Sequence, residues 1–179
     1  MYRVIIAALV IASTLASTRP AAAASWRVYH NSTFGYSLAY PNDWQQISES
    51  NVDIELRTTD TGATFIAHAE TTTSVLKLAD LQGAVSSVLY AAGVPRANTI
   101  HYTTPMLHHV AFADGSVSVQ ANGKAGTVNG LVAYRAHAVY FFISSLVRMV
   151  NGKQLPAATA QARDLARIET SIVVTGPAK

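Results

Sequence analysis

The stretch FGYSLAYPNDW, from Phe34 to Trp44, decides the fold. Bulky apolar or aromatic side chains occupy every second position, at Phe34, Tyr36, Leu38 and Tyr40. This two-residue period is typical of a β-strand with one buried face. A proline then ends the pattern, and the Asn-Asp pair after it favours a turn. We therefore predict a strand that contributes to the core, and we expect burial of Phe34, Leu38 and Trp44 rather than an exposed aromatic surface.

The first 24 residues have the composition of a secretory signal. Arg3 supplies a positive charge, the run from Val4 to Ala16 is almost entirely apolar, and three alanines precede Ser25. The apolar run has about 13 residues, whereas a bilayer span needs about 20. Cleavage is therefore favoured over an uncleaved anchor, and the absence of cysteine excludes a lipid-modified lipoprotein. We expect residues 1–24 to be removed and residues 25–179 to form a single domain outside the cytoplasm, secreted or periplasmic, with no transmembrane span.

The composition of the expected mature chain excludes several functions. The whole chain has 13 Lys and Arg and 10 Asp and Glu, and the loss of Arg3 and Arg19 would leave a net charge of +1. No basic run is present, so the electrostatic signature of a nucleic-acid-binding protein is missing. Without cysteine the chain has no disulfide, no thiolate zinc ligand and no catalytic thiol.

Several other segments alternate like strands. They are Trp26 and Val28, Asn51–Arg57 with Val52, Ile54 and Leu56 inward, Ala63–Glu70, Thr99–Thr103, and the segment after Asp114-Gly115 that contains Val117 and Val119. Asn122-Gly123 predicts a tight hairpin. The following segment, Lys124 to Val147, is rich in strand formers. Within it we expect a bulge or turn at Asn129-Gly130 and a break near Arg135 to His137.

Two segments have helical periodicity. In the first, one face would contain Leu78, Leu81, Val85, Val88 and Ala92. Ser74 could cap its start, and Gly93 with Pro95 would end it. The second follows Pro156, with Ala158, Ala162, Leu165, Ile168 and Ile172 on one side. Strands, a helix, strands and a helix in this order predict an α+β sandwich, a central antiparallel sheet covered by helices.

The order of these segments resembles the PsbP-like family, named for the extrinsic oxygen-evolving protein of photosystem II. The most specific match is the pattern Gly35-Tyr36-Ser37-Leu38-x-Tyr40-Pro41-x-x-Trp44, and the resemblance extends from about Tyr29 to Val174. It implies an α-β-α sandwich around a twisted antiparallel sheet. Family members mostly act as binding or assembly factors outside the cytoplasm, and some are linked to calcium or manganese. The resemblance therefore does not imply an enzyme.

One motif hints at catalysis. Ser74 and Lys77 match the S-x-x-K pattern of penicillin-binding enzymes, in which the lysine activates the serine. The chain is too short for that fold, and the third element of the motif is missing. Capping of a helix is the simpler role for Ser74.

Histidines suggest a divalent metal site. His68 and Glu70 are two residues apart on a predicted strand, so both would point to one face. His101, His108 and His109 lie within nine residues of one another. Imidazoles with a carboxylate form a plausible first shell for zinc, copper or manganese. No H-x-x-H or H-E-x-x-H spacing supports this, and the alternative is a set of solvated histidines.

We therefore expect a secreted, non-catalytic and monomeric PsbP-like domain that binds a protein partner or a small ligand and needs no cofactor. A metal-binding protein that uses His101 with His108 or His109, or His68 with Glu70, is one alternative. The other is a carrier of an apolar ligand with a pocket between the sheet and a helix.

Overall fold

The computed structural model describes residues 25–60 and 62–177. The predicted signal, residues 1–24, lies outside the described residues. The elements in chain order are β1 (Trp26–Asn31), β2 (Tyr36–Pro41), β3 (Gln45–Glu49), β4 (Asp53–Arg57), β5 (Ala63–Thr71), α1 (Leu78–Ala91), β6 (His101–Thr103), β7 (Met106–Leu107), β8 (Val110–Ala121), β9 (Lys124–Arg135), β10 (Ala138–Val150), β11 (Lys153–Gln154), α2 (Ala158–Thr170) and β12 (Val173–Val174). Neither of these helices has the length and hydropathy that a bilayer span requires.

The strands form a large sheet and a small one. The large sheet has the order β3-β4-β5-β10-β9-β8-β6, with β11 beside β10 and β7 beside β8. The small sheet has the order β1-β2-β12. The pairs that build both sheets are antiparallel, as the hairpin pattern of the sequence predicts.

The two helices cover opposite faces of the large sheet. Helix α1 packs on β8, β9 and β10, whereas α2 packs on β5, β10 and the small sheet. Because side chains alternate along a strand, β10 contributes Tyr140 and Phe142 to the α2 side and Val139 to the α1 side. The result is an α+β sandwich of three layers, which confirms the predicted fold class.

The opening stretch lies in the core, as predicted. Phe34, Leu38 and Trp44 are 6%, 1% and 4% exposed. The strand that it forms, β2, belongs to the small sheet rather than to the central one. Its core face contacts the large sheet through edge-to-face rings, with Tyr36 and Phe142 centroids 5.8 Å apart.

Several local predictions are confirmed. Val52 is half-buried, and Ile54 and Leu56 are fully buried. At the Asn122-Gly123 hairpin both residues have positive φ, 52° and 72°, as a tight two-residue turn requires. Helix α1 ends before Gly93, whose φ is 90°. The second helix follows Pro156 and buries Leu165 and Ile168.

Three local predictions are wrong, whereas the predicted first strand is present as β1, with Tyr29 and Asn31 buried and Val28 exposed. Asn129-Gly130 lies within β9, fully paired on both sides, and β8 already includes Asp114-Gly115. The buried face of α1 is Leu81, Val85 and Leu89, so Leu78, Val88 and Ala92 do not complete it.

Candidate functional site

A groove of about 390 Å³ opens between the start of α1 and one end of the large sheet. We call it the leucine groove. Three leucines before and in α1 form one wall, and residues at the start of β8 and the end of β9 form the other. Its lining is Leu76, Leu78, Leu81, His109, Val110, Ala111, Tyr134 and Arg135. The volume lies within the range of small-molecule sites, about 300–1,000 Å³.

Helix α1 begins so that it leaves one leucine outside the core. The Asp80 carboxylate accepts a hydrogen bond from the Lys77 backbone N–H, at 2.8 Å, and fixes the first turn. Ser74, the expected cap, is three residues too early and has its own N–H bonded to the Thr72 hydroxyl. Leu81 is buried, whereas Leu78 is 42% exposed at the groove. An exposed leucine beside a half-buried one, Leu76, marks apolar surface that the fold itself does not cover.

Two tight turns form the sheet end of the groove. His108 and His109 join β7 to β8 with φ of 47° and 67°, and Ala136 and His137 join β9 to β10 with φ of 51° and 62°. Two consecutive positive φ values suit the twist of a two-residue hairpin. These turns place His109 and Arg135 at the groove, although neither turn contains the glycine that would signal it in the sequence.

The polar groups of the groove are few and basic. The titratable side chains in the described lining are those of His109, Arg135 and Tyr134, and this lining contains no carboxylate. Arg135 is held by a hydrogen bond from Nη1 to the Val174 carbonyl, at 3.0 Å. The Tyr134 hydroxyl lies 3.5 Å from His137 Nδ1. The described lining contains no serine, threonine or carboxylate.

A separate polar cluster lies between α2 and the middle of the sheet. The Ser144 hydroxyl donates to Glu169 Oε1 at 2.6 Å. Burial raises the pKa of the Glu169 carboxyl above its usual value, and the nearby Asp114 adds to the rise. Burial also raises the pKa of Asp114, which accepts a hydrogen bond from Thr103. The predictions from sequence did not include this cluster, because its members come from four separate elements.

The structure places the predicted metal ligands in three places. His68 and Glu70 share one face of β5, as predicted, with His68 Nε2 4.0 Å from Glu70 Oε2, His68 half-buried and Glu70 exposed. His101 lies on β6 opposite Ser116. His108 and His109 lie in the β7–β8 turn, and His108 Nε2 is 3.3 Å from the Thr170 carbonyl oxygen.

These positions do not form one metal site. Val110, beside the histidine turn, and Ser116, beside His101, are six residues apart on β8, which is about 20 Å of extended strand. His101 is therefore not brought to His108 or His109. Within residues 25–60 and 62–177, no three His, Asp or Glu side chains are grouped as metal ligands. Metal binding by His68 with Glu70 stays a prediction.

Two solved structures support the fold. LpqN from Mycobacterium tuberculosis, described as involved in cell envelope biogenesis, superposes with a TM-score of 0.53 at 15% identity and covers 87% of each chain. A structure from Bacteroides thetaiotaomicron gives 0.50 at 9% identity and covers 84% of this chain. This chain spans about half, 48%, of the Bacteroides structure. The Pseudomonas aeruginosa protein PA94, of unknown function, gives 0.49 at 16% identity, with 79% of this chain and 92% of that chain covered.

At these identities the likeness concerns the fold alone. No family model and no curated protein matches the chain. Membership of the PsbP-like family therefore stays a prediction, whereas the α+β sandwich is shown.

Proposed function

We propose that this chain is a non-catalytic binding protein of the cell envelope that takes up a small apolar ligand in the leucine groove. The observation that carries the proposal is the groove itself, with six apolar or aromatic residues around a volume that a small molecule fills. The role corresponds to the carrier that the sequence suggests as an alternative, with a pocket between sheet and helix.

The chemistry of the lining defines the ligand class. An apolar molecule that covers the leucine and valine side chains displaces water from them. This burial stabilises the complex by about 25 cal/mol for each Å² of apolar surface. The two basic residues would accept a polar or anionic end on that molecule, and the absence of acidic residues from the described lining disfavours a cationic one. We therefore propose a ligand with an apolar body and at most one neutral or anionic polar end.

The location outside the cytoplasm has independent support. The composition of residues 1–24 favours export, and LpqN, which shares the fold, is described as involved in cell envelope biogenesis. Its likeness supports the compartment in this proposal and does not extend to any ligand of that protein.

The direct test is to identify what the protein contains. The full chain would be expressed with its own N-terminal segment, purified from the envelope fraction, and measured by native mass spectrometry before and after solvent extraction. We expect an adduct of one small molecule per chain, which extraction removes and which partitions into organic solvent. A protein that carries no such molecule and fails to take up added apolar compounds would contradict the proposal, as would a dimer whose interface fills the groove.

A further inference from the structure

Two tight turns meet at the end of the large sheet that lies opposite the leucine groove. Asn122-Gly123 joins β8 to β9, and Asn151-Gly152 joins β10 to β11. All four residues have positive φ, between 49° and 74°. The Asn151 N–H donates to the Gly123 carbonyl oxygen at 2.6 Å, so one turn holds the other in place. We call this end of the sheet the lysine tip, and it consists of residues 119–128 and 145–155.

Strand pairing in the lysine tip aligns two lysines. Val150 pairs with Lys124 on one side and with Lys153 on the other. Because residues directly paired across antiparallel strands point to the same face, both lysines lie on one face of the sheet with Val150 between them. Both lysines and the nearby Arg148 are exposed. These cations are far apart in the sequence, so no basic run indicates that the fold brings them together.

The positive charge of the lysine tip is not compensated locally. The two segments that form it contain three cations and no Asp or Glu. The ion pairs found among residues 25–60 and 62–177 involve other side chains. The loop after β4 contacts β10 beside the tip, but its Asp60 carboxylate accepts a hydrogen bond from Gln161 of α2, on the other face of the sheet. The lysine face is therefore suited to an anionic partner.

The surroundings of the lysines favour a lipid over a nucleic acid. An apolar depression of about 340 Å³ adjoins Lys124, and its lining includes Val119, Val128 and Val147. Met149, at the same end of the sheet, is 39% exposed. The tip segments contain no aromatic residue on which a base could stack. Phosphate groups with acyl chains next to them match both the lysines and the apolar surface.

We propose that the lysine tip docks the protein on a membrane surface that contains anionic phospholipid. Each cation close to such a surface strengthens attachment about fivefold. This attachment is peripheral and does not depend on the ligand proposed for the leucine groove, since the groove and the depression at the tip share no residue.

Co-sedimentation with vesicles tests this docking. The full chain would be expressed and exported, and the intact mass of the purified protein shows which N-terminus it carries. The protein would be mixed with vesicles of phosphatidylcholine alone, or of equal parts of phosphatidylcholine and phosphatidylglycerol, at low and at high salt. We expect at least about tenfold stronger partition onto the vesicles with phosphatidylglycerol, and a loss of this preference at high salt because salt screens the charges.

Charge-removing variants locate the binding. Lys124→Gln and Lys153→Gln should each weaken partition onto the anionic vesicles about fivefold, and the double variant about 25-fold. Lys77→Gln is the matched control, since it removes an equal charge from an exposed position before α1, at the other end of the sheet. The 12 residues of β9 separate the two ends by roughly 35 Å, which is several Debye lengths, so the control should change partition by less than about twofold. All variants share one N-terminus, so differences between them come from the substituted side chains.

Three results would overturn the proposal. The first is equal partition of the wild type onto both kinds of vesicle. The second is an equal loss in Lys77→Gln and in the two tip variants. The third is saturable binding of a single-stranded oligonucleotide that displaces the vesicles and that both tip variants weaken, which would assign the tip to nucleic acid. Circular dichroism shows whether each variant is folded, and two independent lysine variants keep the test decisive if one of them is not.

Discussion

Gly35 is held in a backbone conformation that other residues avoid. Its φ is 63°, and the Thr175 N–H donates to its carbonyl oxygen at 2.7 Å as the C-terminal chain crosses it. A Cβ at this position would lie 1.8 Å from the Gly176 carbonyl oxygen. Gly35 therefore lets β12 close the small sheet over the opening stretch.

The corresponding prediction concerns alanine substitutions at two glycines. Gly35→Ala should lower the free energy of unfolding by about 3 kcal/mol, since strain and a backbone clash add. Gly83→Ala, inside α1 with nothing near its Cβ, should raise it by about 1 kcal/mol. Chemical denaturation measures both, and a Gly35→Ala protein as stable as the wild type would show that the crossing is not as described.

Glu169 predicts a pH-dependent effect. Its pKa is raised in the folded state, so folding favours the protonated carboxyl and its ionisation costs stability. The Glu169 carboxyl therefore costs least stability below its pKa in the unfolded state. The cost grows as the pH rises from that value to its pKa in the folded state. Glu169→Gln, which removes the charge, should unfold at higher denaturant than wild type at pH 7.5, and the difference should shrink at pH 4. A difference that is equal at both pH values would contradict this account.

At the scale of elements, the start of α1 is stabilised by Asp80 and not by Ser74. Asp80→Ala removes the carboxylate that accepts the Lys77 N–H and should cost about 1 kcal/mol of stability. Ser74→Ala should stay within about 0.5 kcal/mol of wild type, as surface substitutions do. If Ser74→Ala is the more destabilising of the two, the helix begins earlier than the structure indicates.

The strands and helices could be predicted from sequence where periodicity is strong. The alternation in β4 and β5, the Asn122-Gly123 turn and the apolar face of α2 all led to the observed elements. The assignment of β2 to a separate small sheet could not be predicted in this way. Its partner β12 lies more than 130 residues away in the chain, and only two residues of β12 pair with β2. Pairing over such a distance leaves no local signal.

The sites were harder to predict than the elements. Leu78 was predicted on the buried face of α1, although it lines the groove with Leu76. Only the position of the sheet end distinguishes a groove residue from a core residue here. Asp60 has the local turn role that the sequence suggests, since it accepts hydrogen bonds from Thr58 and the Gly62 N–H. Its contact with Gln161 depends on how α2 packs, which no spacing in the sequence indicates.

At the scale of the whole molecule, one sheet separates two apolar clusters. Leu89 belongs to the cluster under α1 and Ile168 to the cluster under α2, and both are fully buried. Since β8, β9 and β10 contribute to both, we expect residues 25–179 to unfold as one unit.

Truncation of each cluster tests this cooperativity. Leu89→Ala and Ile168→Ala should each lower the free energy of unfolding by about 2–5 kcal/mol. Each should shift a single transition that tryptophan fluorescence and far-UV circular dichroism report together. Two separate transitions would contradict a single cooperative domain.

The leucine groove is the central claim, and a titration with the neutral apolar fluorophore N-phenyl-1-naphthylamine tests it most directly. Leu78→Glu places a charge in the groove, whereas Val75→Glu places the same charge three residues earlier at a side chain that is 73% exposed and outside the lining. We predict saturable binding by wild type, a loss of about tenfold or more in Leu78→Glu, and a change of less than about twofold in Val75→Glu. Absence of saturable binding by wild type, or equal loss in both variants, would contradict the account.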